Sequence, residues 1–198
     1  MMAIFSRGFA GRPRETQPDL PPGQFLTDDF PVLSAGPTPA IAEADWTFTI
    51  ETELGVTHSW NWDELHALPQ EDVHTDIHCV TRWSKLATNW RGVSLDTLFA
   101  GVESSYDFVM VHSTGGYTTN LPREDILDGQ AWITTEFDGE PLEPDHGGPA
   151  RMIVPHLYFW KSAKWVRGVT MQRSDSPGFW EQNGYHTYGD PRREERYS

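Results

Sequence analysis

Short runs in which hydrophobic and polar residues alternate predict β-strands along much of the chain. Trp46, Phe48 and Ile50 alternate with polar neighbours, as expected for a strand that buries one face. In the next run Cys79 falls on the same side as Ile77 and the other apolar positions. The pattern predicts further strands over residues 73–79, 108–112, 117–121, 131–137, 152–154 and 165–172.

The helices predicted from the same pattern are few and short. Asn61 is placed to cap a helix over residues 62–68 that Pro69 ends, and Ser94 is placed to cap another over residues 95–99. Pro122 is suited to the first position of a third, because its missing N–H is not needed there. Strands with scattered short helices and no regular βαβ alternation indicate an α+β fold.

The 198 residues fit one domain with two looser ends. Residues 1–26, rich in proline and glycine, are expected to form a flexible N-terminal arm, and residues 27–172 the domain. Residues 173–198 are expected to form a C-terminal tail packed on or near it. No apolar stretch is long enough to insert into a membrane, and no secretory or twin-arginine signal is evident, which predicts a cytoplasmic protein.

Charge is distributed unevenly along the chain. Residues 16–150 hold 23 acidic and four basic side chains, whereas residues 151–198 hold eight basic and five acidic ones. The excess of negative charge in residues 16–150 argues against nucleic acids and anionic membranes as partners. The basic part is either an ordinary solvated surface or a cluster in which Arg151, Lys161 and Lys164 gather around one anion.

Cys79 is the only cysteine, so it can form no internal disulfide and no two-cysteine redox pair. It is a nucleophile, a single metal ligand or a core residue. A zinc site with His74 and His78 requires convergent ligands, but on a strand these histidines face away from Cys79. A cysteine hydrolase using His112 lacks a recognisable third partner.

Three motifs, in order, carry a resemblance to a known family. They begin at Cys79, Gly148 and Lys161 and read CVTRWS, GPAR and KSAKWV. Over residues 27–172 the chain resembles the molybdopterin-binding catalytic domain of the sulfite oxidase family, above all its small cytoplasmic sulfite-oxidase-like branch, related to the periplasmic sulfoxide reductases. The resemblance implies the sulfite oxidase-type fold with mixed β-sheets, and one molybdenum–molybdopterin cofactor per chain.

The resemblance also implies roles for individual residues. Cys79 matches the protein ligand of molybdenum, and Arg82 would bind an anionic substrate or the oxo–metal group unless it pairs with nearby acids. At residues 81–84 the chain departs from true sulfite oxidases, so sulfite is not implied as the substrate. The residues expected to bind the cofactor are Thr114, His146, Arg151, Lys161, Ser162, Ala163 and Lys164.

The expected function is that of a molybdopterin-dependent oxidoreductase. It would catalyse a two-electron oxygen-atom transfer on a small oxyanion, a sulfoxide or an N-oxide, as a monomer that exchanges electrons with a separate protein. Two alternatives remain at this point. One is a non-catalytic molybdopterin carrier, and the other is a β-rich binding module in which Cys79 is inert.

Overall fold

The structure is a computed structural model that describes residues 19–198. Most of the predicted N-terminal arm, residues 1–18, lies outside the described residues. The strands are β1 (Phe25–Leu26), β2 (Thr47–Glu51), β3 (Thr57–Asn61), β4 (Glu71–His78), β5 (Trp83–Ser94), β6 (Phe108–Ser113), β7 (Thr118–Pro122), β8 (Trp132–Phe137), β9 (Glu140–Pro141), β10 (Arg151–Ile153) and β11 (Val166–Gln172). The α-helices are α1 (Trp62–Ala67), α2 (Leu95–Leu98) and α3 (Phe179–Gln182), and short 3-10 helices span Glu43–Asp45, Arg123–Ile126, Pro144–His146 and Phe159–Lys161.

The strands form two mixed sheets. In the six-stranded sheet, β5 pairs with β1, β4 and β8, and β8 pairs in turn with β9 and β10. The five-stranded sheet has the order β3-β2-β11-β6-β7. The pairs β1–β5 and β2–β11 are parallel and the other pairs are antiparallel. The predicted α+β class with mixed sheets and short helices is confirmed.

Local sequence signals account well for the short elements. Asn61 accepts the N–H of Glu64 while the Glu64 carboxylate accepts the N–H of Asn61, which closes a capping box at the start of α1. The Ser94 side chain accepts the N–H of Thr97 at the start of α2. The predicted caps are therefore confirmed, and the predicted strands agree with the observed ones to within one or two residues at their ends.

Four strands were not predicted from the sequence pattern: β1, β3, β9 and β5, which is the longest in the described chain. Strand β5 shows why the pattern fails. Its sequence, WSKLATNWRGVS, shows no sustained alternation because its two ends are buried while its middle is partly exposed. A bulge between Arg91 and Gly92 also shifts its register against β8. A Cβ atom at Gly92 would lie 2.1 Å from the carbonyl oxygen of Ile133, so only glycine permits strand pairing there.

Both ends of the described chain reach the connection between β4 and β5. The Gln24 amide donates to the carbonyl oxygens of Cys79 at 3.1 Å and Trp83 at 3.2 Å. From the C-terminal segment, the buried Arg196 donates to the carbonyl oxygen of Val80 at 2.7 Å and to the Gln24 side chain at 3.0 Å. Residues 24–26, assigned from sequence to the flexible arm, thus contact the domain. Within residues 19–198, every helix is too short or too polar to cross a bilayer.

Candidate cofactor site and its family

Cys79 lies in the tight turn that joins β4 to β5. Its N–H donates to the Trp83 carbonyl oxygen and its carbonyl oxygen accepts the N–H of Arg82, both at 2.9 Å. The strand ends at His78, so the prediction that Cys79 belongs to β4 is wrong by one residue. The turn holds the sulfur where β4 ends and β5 begins. Only 8% of Cys79 is exposed, and the Thr81 hydroxyl donates to the sulfur at 3.2 Å.

Burial raises the pKa of the Cys79 thiol, and the hydrogen bond from Thr81 only partly opposes this effect. A buried, protonated thiol is a weak nucleophile. His112, the partner considered for a hydrolase, lies on β6 in the other sheet with Nε2 3.0 Å from the Thr170 hydroxyl. The sulfur is therefore better suited to binding a soft metal, which displaces the thiol proton.

A cavity of about 610 Å³ opens beside the Cys79 turn. It brings together residues that are far apart in sequence, because the β4–β5 turn, the β6–β7 turn, the start of β10 and the loop before β11 all reach it. Six of the nine predicted site residues line this cavity: Cys79, Thr114, Arg151, Ser162, Ala163 and Lys164.

Arg151 is a buried cation that lines the cavity. Its two terminal nitrogens donate to the carbonyl oxygens of His146 at 2.8 Å and Ser162 at 2.7 Å, and its guanidinium carbon lies 4.0 Å from the centre of the Phe159 ring. Only 1% of the residue is exposed, and burial lowers its pKa. Among residues 19–198 its Nε has no hydrogen-bond partner, and no carboxylate lies within 4.0 Å of the guanidinium. Its charge therefore has no anionic partner in the described protein.

Lys164 places a second cation at the same cavity. Its ammonium donates to the carbonyl oxygens of Leu33 at 2.9 Å and Asp145 at 2.6 Å. Burial, and next the neighbouring charge of Arg151, lower the pKa of Lys164 to about 8. Within the described part of the chain it forms no salt bridge. Two cations without anionic partners thus face one cavity in a protein whose formal net charge is −14, an arrangement that suits a phosphate-bearing ligand.

The loop between β10 and β11 shapes the cavity in a way that differs from the expectation. Ser162 and Ala163 were expected to bind the cofactor, but their backbone N–H groups already donate to the carbonyl oxygens of Phe159 and Lys161, both at 3.2 Å. The Ser162 hydroxyl accepts the N–H of Val154 at 2.9 Å. The N–H of Thr114, in the β6–β7 turn, is likewise used, by the Trp165 carbonyl oxygen. These residues therefore give the wall its shape, and the Thr114 hydroxyl remains available to a ligand.

Three predicted residues do not line the cavity. Arg82 is exposed, and its backbone adopts a φ of 80° in the turn, so its position does not support a catalytic role. His146 stacks on Phe30 with ring centres 3.9 Å apart, and its carbonyl oxygen accepts a hydrogen bond from Arg151. Lys161 is fully buried and its ammonium lies 2.7 Å from a carboxylate oxygen of Glu181. Lys161 is therefore a structural cation and is not available to a cofactor.

Two cavity walls were not predicted from the sequence. One consists of residues 30–39, a segment without regular secondary structure that contributes Phe30, Leu33 and several prolines. The other is formed by Phe179, Trp180 and Tyr185 of the C-terminal segment. The cluster of aromatic residues after Pro177 was a visible signal, but its sequence neighbours do not reveal where it folds back.

The zinc alternative has no support in the described structure. His78 Nδ1 lies 2.8 Å from the Ser84 hydroxyl, and His74 contacts the Asn89 side chain. Among residues 19–198, no three His, Cys, Asp or Glu side chains are grouped closely enough to hold a metal ion. A metal at Cys79 would therefore need most of its ligands from a non-protein group.

Comparisons with known proteins agree with this geometry. The family model described as the oxidoreductase molybdopterin binding domain matches residues 35–180. The uncharacterized oxidoreductase YuiH of Bacillus subtilis is 40% identical over 182 residues, covering 90% of this chain and 92% of YuiH. A putative protein-methionine-sulfoxide reductase subunit, YedZ1, of Azospira oryzae is 29% identical over 92% of this chain and 71% of its own length.

A solved structure shares the fold. The sulfane dehydrogenase SoxCD of Paracoccus pantotrophus superposes with a TM-score of 0.63 at 16% identity, covering 74% of this chain and 42% of the SoxCD chain. The family match spans most of the chain, and the Cys79 turn and the basic cavity wall both lie within it. The chain is therefore a member of the oxidoreductase molybdopterin-binding family, with the sulfite oxidase-type fold, and an enzyme of the molybdopterin-dependent oxidoreductase class.

Proposed function

We propose that the cavity holds one molybdenum–molybdopterin cofactor per chain, with Cys79 as the protein ligand of the metal. The observation that carries the proposal is the meeting, in one cavity, of a single buried thiol and two cations that have no anionic partner within residues 19–198. This donor set suits a group that offers sulfur-bound metal at one end and phosphate at the other.

Arg151 and Lys164 would hold the anionic end of the cofactor. The planar guanidinium still has an unused Nε–H, and it is kept in place by two carbonyl oxygens and the Phe159 ring. Lys164 adds a point charge on the same wall. A phosphate beside them would satisfy a buried donor and neutralise a buried charge, both of which are costly when left alone.

Cys79 would contribute its sulfur after losing its proton. When bound, the molybdenum–pterin group supplies two-electron oxygen-atom transfer, which no side chain of this protein can perform. The Cys79 turn, held by Gln24 and Trp83, fixes the direction of the sulfur, and the Thr81 hydroxyl donates to it. The protein's part is thus to orient the cofactor and to limit water around the reacting atoms.

The substrate that the cavity suits best is a small neutral sulfoxide. Both cavity cations are directed to the cofactor in this proposal, and most of the remaining lining is aromatic or aliphatic. Such a surface disfavours a small oxyanion, which needs charged or hydrogen-bonding partners. The name of the YedZ1 relative, a putative protein-methionine-sulfoxide reductase subunit, also supports a sulfoxide. An N-oxide is the second candidate for the same surface.

The proposal includes an oligomeric state, a redox partner and a location in the cell. We expect a monomer that receives electrons from a separate protein, and a cytoplasmic location, in keeping with the acidic composition. Sedimentation analysis and cell fractionation test the first and last of these expectations. A search for proteins that replace an artificial electron donor in turnover tests the redox partner.

The central test uses protein expressed in cells that make ample molybdopterin. We expect about one molybdenum and one pterin per wild-type chain, and turnover of dimethyl sulfoxide with reduced viologen dye as the electron donor. The Cys79→Ala variant should retain pterin but lose both molybdenum and turnover. Wild-type protein that carries neither molybdenum nor pterin under these conditions would contradict the proposal.

A further inference from the structure

One wall of the cavity is a cluster of aromatic side chains contributed largely by the C-terminal segment. Trp180 and Tyr185 stack with ring centres 4.8 Å apart, and Tyr185 meets the edge of Trp160 at 5.0 Å. Phe179 meets Trp180 edge-on at 5.0 Å. All four residues line the cavity. We call this set, Trp160, Phe179, Trp180 and Tyr185, the aromatic wall.

A single carboxylate connects the two parts of the aromatic wall. One oxygen of Glu181 accepts the Trp160 indole N–H at 2.8 Å and the Thr119 hydroxyl at 2.9 Å, and it lies 2.7 Å from the Lys161 ammonium. The side chains of Lys161 and Glu181 are each 1% exposed. Lys161 also donates to the Thr187 carbonyl oxygen at 2.6 Å, farther along the same C-terminal segment.

The segment that carries Phe179 and Trp180 cannot hold this position alone. Helix α3 has four residues, far fewer than an isolated helix needs, and its first residue has no side-chain cap. Its placement therefore depends on tertiary contacts, and the buried group among them is Glu181. Because Glu181 lies next to Trp180 and is bonded to Trp160, it fixes the two tryptophans relative to each other.

We propose that Glu181 is a positioning residue, and that the aromatic wall it assembles recognises an aryl substituent on the sulfoxide substrate. The inference rests on the proposed function for the reacting group, but it concerns a different part of the cavity. An aryl group offers a flat apolar face, and aromatic pairs contribute more than their buried area alone. Dimethyl sulfoxide offers no such face, so the wall should prefer aryl methyl sulfoxides.

The test compares non-reducible analogues, so that binding is measured without turnover. Methyl phenyl sulfone and dimethyl sulfone are titrated into purified holoenzyme, followed by tryptophan fluorescence and calorimetry. The variants are Trp180→Ala, which removes one face of the wall, and Glu181→Gln, which keeps the side-chain shape. Glu103→Gln, an exposed carboxylate remote from the cavity lining, is the matched control.

We expect the wild type to bind methyl phenyl sulfone more tightly than dimethyl sulfone. The ratio of the two affinities should fall about tenfold in Trp180→Ala and Glu181→Gln but should not change in Glu103→Gln. In turnover, the same two variants should raise KM for methyl phenyl sulfoxide by about tenfold more than they raise KM for dimethyl sulfoxide. Glu103→Gln should change neither KM. A purely structural Glu181 would instead weaken both ligands equally. If Glu181→Gln proves unfolded, Trp180→Ala alone decides the role of the wall, and a Lys161→Met/Glu181→Leu variant, without buried charges, decides that of Glu181.

The two proposals fail in different ways. Wild-type protein with molybdenum but without any phenyl preference overturns the aromatic wall and leaves the proposed function standing. Wild-type protein without molybdenum but with the phenyl preference overturns the proposed function and leaves the wall standing. Retention of the preference in both Trp180→Ala and the Glu181 variants overturns the inference.

Discussion

Replacing Arg151 with methionine should separate the stability of the protein from its affinity for the cofactor. Methionine has a similar length and fills the space beside Phe159, but it carries no charge and no donors. In the wild type, Arg151 is 1% exposed and donates to two carbonyl oxygens, at 2.7 and 2.8 Å. The substitution therefore removes two charge-assisted hydrogen bonds together with one buried charge.

The free-energy cost of Arg151→Met should differ between the cofactor-free and the cofactor-loaded protein. Each charge-assisted hydrogen bond contributes about 2 kcal/mol, whereas holding an unpaired guanidinium out of water costs several kcal/mol. These effects largely cancel, so the free energy of unfolding of the cofactor-free protein should change by less than about 2 kcal/mol. In the loaded protein Arg151 has an anionic partner, and losing it should cost about 3–4 kcal/mol, or roughly 10²- to 10³-fold in affinity.

The assay measures both quantities for each variant, on cofactor-free and on cofactor-loaded protein. Urea unfolding of cofactor-free protein gives the stability, and pterin retained after gel filtration gives the affinity. Arg123→Met is the matched control, because Arg123 is a half-buried arginine whose Nε also lacks a partner in the described chain but which does not line the cavity. If Arg151→Met retains pterin as well as Arg123→Met does, Arg151 does not bind the cofactor and the reasoning is wrong.

Three further predictions follow from individual contacts. Cys79→Ser should lower the ratio of molybdenum to pterin, because oxygen is a poorer ligand than thiolate for a metal held by sulfur. Mass spectrometry of the metal and fluorescence of the pterin measure this ratio, and an unchanged ratio would contradict ligation by Cys79. Asn61→Ala removes the capping box of α1 and should lower the free energy of unfolding by about 1 kcal/mol in urea titrations, whereas Glu103→Gln should not. The pKa of Lys164 is lowered to about 8, and a bound anion favours the protonated form. The affinity for pterin should therefore be constant below about pH 8 and fall above it, by at most about tenfold per pH unit. This decline should be absent in Lys164→Met.

The sequence predicted the local elements best where one residue type decides the geometry. Asn61 and Ser94 cap helices because a side-chain oxygen beside free N–H groups needs no distant partner. Strands with one buried face, such as β2, show the expected alternation. Strand β5 was missed because β1, β4 and β8 pair with different parts of it and its ends are buried while its middle is partly exposed. Its burial therefore follows tertiary neighbours and not a local period.

The chemical identity of the candidate site was also visible in the sequence, but the part each residue plays was not. Cys79, Arg151 and Lys164 were singled out by motif and charge, and they do face one cavity. Lys161 and Arg82 belong to the same motifs, yet the first is buried against Glu181 and the second is exposed. A motif specifies a residue type at a position, whereas the direction of a side chain depends on what packs around it.

By itself, the sequence determined the fold class, the family and the presence of one thiol and a basic segment in an acidic chain, because composition, caps and motifs act over short distances. The tertiary structure alone decided that the C-terminal segment forms a wall of the cavity and that Glu181, remote in sequence from Trp160, fixes that wall. The physical reason is that a buried carboxylate needs hydrogen-bond donors, and those of Glu181 come from distant parts of the chain: Thr119 on β7, and Trp160 and Lys161 in the 3-10 helix Phe159–Lys161. These parts lie beside Glu181 only in the folded protein.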